Sequence, residues 1–313
     1  MKLFRRYRKC NICPRNCRKN RFKEEGYCGE KAYLRVAYVG PHFGEEPPIA
    51  GKNGSGTVFL AGCSLKCSFC QNWQISHSGI GERISVKKLA ERLYQLIEEK
   101  KVHNINFVTP DHFIPHLILL IEMIKKRYQI PIVFNVSGYQ DVDLLKEIRE
   151  YVDIYLPDFK YSDKRLAARL SSCPDYPKIA LDAISEMIRQ KGFVETSSVA
   201  KRGVLVRHLI LPGQIKNSID ALSMLFIEFG KELPISLMSQ YKPVRRQKVE
   251  SLNRQLRGEE FYQVYEHAIS LGFKNMFVQF PEETKGDSEF LPDFTLSEPF
   301  KGNKRFDTDH VLW

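Results

Sequence analysis

From residue 57 onward, short apolar runs alternate with longer stretches whose apolar positions recur every three or four residues. The runs at 57–62 (TVFLAG), 104–109 (NINFVT), 131–136 (PIVFNV), 152–158 (VDIYLPD), 204–211 (VLVRHLIL), 234–238 (PISLM) and 275–279 (NMFVQ) have the length and composition of buried strands. Between them, 86–100, 113–128, 142–151, 176–192, 218–231 and 258–272 carry the 3.6-residue period of amphipathic helices. Mostly apolar strands separated by helices predict an α/β fold with a parallel sheet, either an open doubly wound sheet or a (β/α) barrel.

The placement of polar residues decides in favour of a complete or partial barrel. Reactive side chains gather just after the strands, at the carboxyl edge where barrel enzymes hold their sites. Along that edge come Cys63, Cys67 and Cys70, then Thr109, Asp111 and His112, then Asn135, Ser137 and Gly138. Asp158 and Lys160, Arg207 and His208, and Gln240 and Tyr241 follow. Upstream, residues 41–56 are dense in Gly and Pro and read as an irregular linker. Residues 1–40 form a small separate head, and 57–313 the barrel with a carboxyl-terminal extension.

The chain is 313 residues long and 43% hydrophobic, enough for a sizeable core. No run approaches the roughly 18 apolar residues of a membrane span, and the start MKLFRRYRKC lacks a secretory apolar stretch. That start also carries regularly spaced cysteines, so it is read as mature protein rather than as a targeting segment. The net charge of +11 is local: residues 1–23 hold ten of the 48 Lys and Arg and no acid, leaving 38 bases against 37 acids elsewhere.

Seven of the eight cysteines fall in two clusters, unlike the dispersed pattern of a secreted disulfide protein, which predicts a reducing, cytoplasmic compartment. In the head, Cys10, Cys13, Cys17 and Cys28 follow a C-x2-C-x3-C-x10-C pattern among glycines and charges, the signature of a knuckle folded around zinc or an iron-sulfur cluster. Its basic residues either offset the charge of four thiolates or grip nucleic acid or an acidic partner; the scarcity of aromatic residues favours the first. The second cluster, CSLKCSFC, places Cys63, Cys67 and Cys70 directly after a strand. Three thiolates are one short of the four a cubane cluster takes, leaving one iron open. A closed zinc site needs a fourth donor, for which Cys173 and His77 are the nearest candidates.

The C-x3-C-x2-C element after the first barrel strand resembles the signature of the radical S-adenosylmethionine (SAM) superfamily. Together with CNICPRNC, GEEPPIAG, HNINFVTPDH, VDIYLPDFKY and RGVLVRHLILPG, it makes the chain similar to the pyruvate formate-lyase activating enzyme-like branch with a cysteine-rich amino terminus. The resemblance spans nearly the whole chain, from Cys10 to Phe294. It implies a 4Fe-4S cluster on Cys63, Cys67 and Cys70 whose open iron binds SAM. Reductive cleavage then gives a 5'-deoxyadenosyl radical that abstracts a hydrogen atom. It further implies an oxidoreductase that activates a glycyl radical enzyme as its protein substrate, with flavodoxin or ferredoxin as electron donor. Phe69 stands where the superfamily has an aromatic residue near the adenine. Asn135 and Ser137 are candidates for the ribose, and Asp158, Lys160 and Arg207 for the methionyl part, the two cations suiting its carboxylate.

Two departures bear on the substrate. The glycine-glycine-glutamate element expected after the second strand reads VTPDH, leaving Thr109 or Asp111 as stand-ins for the SAM amino-group contact, and the extra cysteines precede the signature instead of following it. The alternatives are a radical SAM enzyme acting on RNA or another peptide residue, supported by the basic head, and a non-catalytic zinc-binding interaction protein.

Overall fold

The computed structural model describes residues 3–281 and 291–300, and the backbone of Val311–Leu312. The rest of the expected carboxyl-terminal extension lies outside the described residues. All seven expected strands are present. They are β2 (Ser55–Leu60), β4 (Ile105–Val108), β5 (Ile132–Val136), β6 (Ile154–Pro157), the broken pair β7 (Gly203–Val204) and β8 (Val206–Leu209), β9 (Ile235–Met238) and β10 (Met276–Val278). Each is parallel to the next. The break at Leu205 does not interrupt the sheet, because Leu205 N donates to Tyr155 O at 3.1 Å and Phe159 N to Arg207 O at 2.8 Å. Antiparallel strands border this run: β1 (Arg35–His42) and β3 (Glu82–Arg83) on one side, β11 (Val311–Leu312) on the other.

Apart from the four-residue helix α2 (Trp73–Ser76) after the three-cysteine loop, the helices follow the sequence periodicity. Helix α3 (Val86–Lys100) begins where Ser85 Oγ accepts from Lys88 N, and buries Leu89, Leu93 and Leu96 against the sheet side. Helices α4 (Ile114–Lys125), α7 (Tyr176–Lys191), α8 (Ile215–Phe229) and α9 (Gly258–Leu271) fall within a few residues of expectation. Helix α5 (Val142–Ile148) stops earlier than its apolar pattern, and α6 (Lys164–Ser171), capped by the Asp163 carboxylate, was not expected. The last three of these long helices end at glycines, Gly192, Gly230 and Gly272.

Residues 41–56 are not an irregular linker. β1 runs to His42, and a short helix α1 (Pro47–Ala50) is inserted under the sheet. Ile49 is fully buried among Val133, Ile154, Leu156, Leu205 and Phe277. Asn104 Nδ2 donates to Ile49 O at 2.7 Å, and Ala200 N to Pro48 O at 2.8 Å. The tripeptide Pro-Pro-Ile supplies enough apolar surface to plug the amino-terminal end of the strands, which Gly and Pro counting alone overlooks.

The head shares the barrel's core. Tyr7 and Ile12 belong to the same apolar cluster as Phe107, Phe113 and Leu117. Arg21 is fully buried, donates to the carbonyls of Glu30, Lys31 and His112, and lies 4.4 Å above the Tyr7 ring. Arg15 donates to the carbonyls of Ser64, Leu65, Ser171 and Ser172. Two of the ten amino-terminal cations are therefore structural, while Arg5, Arg8, Lys9, Arg18, Lys19 and Lys23 are exposed.

Candidate functional site

A cavity of about 230 Å³ opens at the carboxyl ends of the strands. Residues from β2, β4, β5, β8 and β9 and from the segments after β6 and β10 all line it, so the sheet curls around it as an open barrel does. One wall is the loop after β2. The loop leaves the strand through Gly62 at φ +79°, where a Cβ would sit 2.8 Å from Cys28 O and 2.4 Å from Glu30 Cγ. Only glycine fits that approach.

Cys63, Cys67 and Cys70 all face the cavity, and none is in a disulfide. Leu65 N donates to Cys63 Sγ at 3.3 Å and Ser76 Oγ to Cys70 Sγ at 3.4 Å, so both sulfurs are oriented. Burial, and then the nearby sulfurs of Cys67 and Cys70, push the Cys63 thiol up to about 12. Burial and Cys67 push Cys70 in the same direction. Cys63 and Cys70, with ionisation suppressed in this way, call for a cationic partner to hold them as thiolates. Among the described residues, no three His, Cys, Asp or Glu side chains converge on one point as a single-ion site requires. A cubane instead takes each thiolate on a different iron. Neither candidate fourth donor lines the cavity: Cys173 Sγ contacts Ala167 O at 3.8 Å, and His77 Nδ1 meets Ser76 Oγ at 2.9 Å. The donor set at the cavity fits a cluster with one open iron.

The structure brings most of the expected side chains to this cavity: Phe69, Thr109, Asn135, Ser137, Asp158, Lys160, Arg207, Gln240 and Tyr241 all line it. The Phe69 ring meets Tyr161 and Tyr241 with centroids 6.3 Å away in each case. Lys160 Nζ lies 2.5 Å from Asp158 Oδ2. Burial works to discharge Lys160, but Asp158 and the neighbouring Cys67 and Cys70 outweigh it and keep the ammonium charged. Thr109 stands at φ +58°, a left-handed conformation costly for a β-branched residue, at the place of the glycine-rich element. Asp111 is not beside it. That side chain turns away, accepts from Gln140 Nε2 at 2.8 Å, and lies outside the cavity.

Three of the histidines are structural. His208 is fixed between Phe159 O and Ser218 Oγ, His112 against Ala61 O at 2.7 Å, and His103 accepts from Asn53 N.

Arg207 is already engaged. Its Nε donates to Glu46 Oε1 at 2.8 Å and its Nη2 to Glu45 Oε2 and Glu46 Oε2, in a fully buried cluster. Burial opposes the charge on Glu45, but Arg207 outweighs it and holds that carboxyl below its usual range. A guanidinium so bound is not available to a ligand carboxylate. Glu45, Glu46, His42 and Gln279 were missed as lining residues. The adjacent acids in GEEPPIAG were visible, but their partner lies 161 residues away.

The head cysteines lie behind this loop. Cys63 N donates to Cys28 O at 3.1 Å, and Cys10 N and Arg18 N close a tight turn with Lys19 O and Cys10 O. Burial raises the Cys10, Cys13 and Cys28 thiols; Cys10 and Cys28 both reinforce the rise at Cys13, and Cys17 that at Cys10. The four are therefore electrostatic neighbours.

Strands that present three thiols and a lysine-aspartate pair to one enclosed space define a barrel built to hold a thiolate-ligated group and a small polar ligand. Residues 57–224 match the family model of the radical SAM superfamily, more than half of the chain, and the chain belongs to that superfamily. Membership implies a 4Fe-4S cluster and SAM. The chain is 29% identical over 274 residues to an uncharacterized protein of Methanocaldococcus jannaschii, covering 84% of this chain and 75% of that one. Among solved structures, methylornithine synthase overlaps 81% of this chain and 76% of its own at TM-score 0.45, and spore photoproduct lyase 70% and 74% at 0.47, each at 15% identity. No helix among the described residues is long and apolar enough to cross a membrane.

Proposed function

We propose that this protein is a radical SAM oxidoreductase in which Cys63, Cys67 and Cys70 hold a 4Fe-4S cluster with one iron left for SAM. The observation that carries the reading is the set of three electrostatically coupled thiols on one cavity wall, with neither Cys173 nor His77, the candidate fourth donors, lining the cavity. Once reduced by one electron, the cluster supplies cleavage of a sulfonium carbon-sulfur bond and a radical able to take hydrogen. The chain's own residues do the rest. Lys160, kept charged by Asp158, receives the SAM carboxylate. Asn135 and Ser137 meet the ribose from the end of β5, and Phe69 packs against the adenine. The apolar walls formed by Phe59, Leu65, Val108 and Leu209 exclude water from the radical.

The hydrogen is taken from a glycine α-carbon of a partner enzyme, a reading supported by the motifs shared with activating enzymes and by a cavity open at the strand ends. The electron donor is a small flavodoxin- or ferredoxin-type protein. The head holds a second metal site, zinc or an iron-sulfur cluster, on Cys10, Cys13, Cys17 and Cys28, a reading supported by their C-x2-C-x3-C-x10-C spacing, by the electrostatic coupling among these thiols and by the buried Arg21, whose charge offsets theirs.

The test is anaerobic reconstitution with iron and sulfide, reduction, and assay of SAM conversion to 5'-deoxyadenosine. Product that depends on iron and reductant is the expected result. A colourless protein that takes up zinc, refuses iron and leaves SAM intact overturns the assignment.

A further inference from the structure

The floor of the cavity carries more negative charge than the protein neutralises. Glu45 and Glu46 are both buried, at 4% and 2% exposed, and share the single guanidinium of Arg207. Glu46 takes Arg207 through both of its oxygens, forming a two-point ion pair. Glu45 is the surplus carboxylate. Its Oε2 shares Arg207 Nη2, and its Oε1 accepts only neutral amide donors, Asn106 Nδ2 at 2.8 Å and Asn135 Nδ2 at 3.5 Å. Among the described residues, the ion pair of Glu45 is with Arg207 alone. Lys160 is bound to Asp158 and is the cation proposed for the SAM carboxylate, and His42 is held neutral chiefly by burial. A buried carboxylate left without a full counter-charge is costly unless a ligand supplies one.

A second observation points the same way. Gln279 is 3% exposed, lines the cavity, and has an Oε1 without a hydrogen-bond partner; Asn106 beside Glu45 is fully buried with an unpartnered Oδ1. Both vacant groups are acceptors. Of the two, Gln279 lines the cavity, which thus offers a carboxylate and an amide oxygen and asks for a ligand rich in donors. Glu45 itself lies deeper than the thiols: its partner Asn106 sits near the start of β4, and the Glu45 segment leads directly into the plug α1, whereas Cys63 follows the carboxyl end of β2 and Gln279 that of β10.

We infer that the substrate places a cationic group, an ammonium or guanidinium, on this floor, and that Glu45 is the specificity-determining residue that receives it. The inference rests on the reading of the cavity as the SAM-dependent site and names the class of substrate group that enters it. SAM itself carries an ammonium and a sulfonium, so the same chemistry has two sources. The depth of Glu45 assigns it to the substrate.

The test uses the cluster-reconstituted, SAM-loaded protein titrated calorimetrically with n-butylammonium and with n-butanol. The amine should bind at least about tenfold more tightly than the alcohol, the worth of one charge-assisted hydrogen bond. Glu45→Gln should bring the two close to equal, while Glu45→Asp should keep the preference. Melting curves establish that each variant is folded. Should Glu45→Gln not fold, Gln279→Leu, which removes an acceptor but no charge, should weaken the amine several-fold and leave the alcohol unchanged. Equal binding of amine and alcohol by the parent protein, or a preference that survives both Glu45→Gln and Gln279→Leu, overturns the inference. So does a loss confined to SAM affinity in Glu45→Gln, because Glu45 would then serve the cofactor. Failure of the underlying reading has a different signature: the parent makes no 5'-deoxyadenosine, whatever the amine result.

Discussion

The backbone amide of Cys63, the first cysteine of the signature loop, donates to the carbonyl oxygen of Cys28, the last cysteine of the amino-terminal set, at 3.1 Å. The two cysteine clusters are thus joined through one hydrogen bond, and Arg15 reinforces the joint by binding the Ser64 and Leu65 carbonyls of the same loop. Order in the head is order in the loop proposed to hold the 4Fe-4S cluster.

Cys67→Ala and Cys13→Ala should therefore differ in kind. Cys67→Ala removes a cluster ligand and should abolish conversion of SAM to 5'-deoxyadenosine, with little change in melting temperature. Cys13→Ala should lower the melting temperature and reduce iron loading at the signature site in part, leaving product formation diminished but present. Iron per chain, electron paramagnetic resonance of the reduced cluster and product yield are the measurements. Equal and complete loss from both, in folded protein, would show that the head contributes directly to the chemistry.

Arg15→Ala should destabilise the fold by about 2–3 kcal/mol, because one charged group serves four backbone carbonyls from two segments. Its guanidinium also lies 4.3 Å above the Tyr27 ring. Denaturant unfolding checks the figure. Arg15→Lys should recover only part of it, since an ammonium cannot span the same forked geometry.

Arg207→Ala leaves Glu45 and Glu46 buried without a counter-charge and should cost about 3–5 kcal/mol. If Arg207 instead served mainly to bind SAM, the variant would melt normally and lose only SAM affinity. Thermal melting beside equilibrium dialysis of SAM separates the two outcomes.

Asp111 carries a pH dependence of opposite sign to most carboxylates. Burial raises its folded-state value from 3.8 to about 6, with only Gln140 donating to one oxygen and the other left unpartnered. The folded chain then holds a proton that the unfolded chain releases. Its contribution is complete below about pH 4 and is lost as pH rises through about 6, by up to about 3 kcal/mol. Asp111→Asn should be near neutral at pH 4 and more stable than the parent at pH 8. An unchanged difference in unfolding free energy across that range would contradict this.

The seven strands and most of the helices were legible because burial on both faces of a parallel strand, and on one face of a helix, writes a short-range period into the chain. The signature loop was legible for a similar reason. Cys63, Cys67 and Cys70 reach one cavity wall through a turn only eight residues long, set by Gly62 and by local hydrogen bonds to sulfur. Spacing within a loop constrains where its side chains end up.

Contacts between distant segments leave no such trace. Arg207 looked like a ligand for a carboxylate, and the tertiary structure supplies that carboxylate internally from Glu45 and Glu46. Asp111 looked like a stand-in beside Thr109, and one residue of helical turn carries it out of the cavity to Gln140. The Gly- and Pro-rich stretch before β2 looked like a tether, yet it plugs the barrel because Ile49 finds an apolar pocket formed by four other strands. Composition and periodicity determined the fold class, the three-cysteine loop and the gathering of polar residues at the strand ends. Which charges stay available there was decided only when the sheet curled and brought together groups far apart in sequence, since the energy of a buried charge depends on every neighbour within a few ångströms and not on its place in the chain.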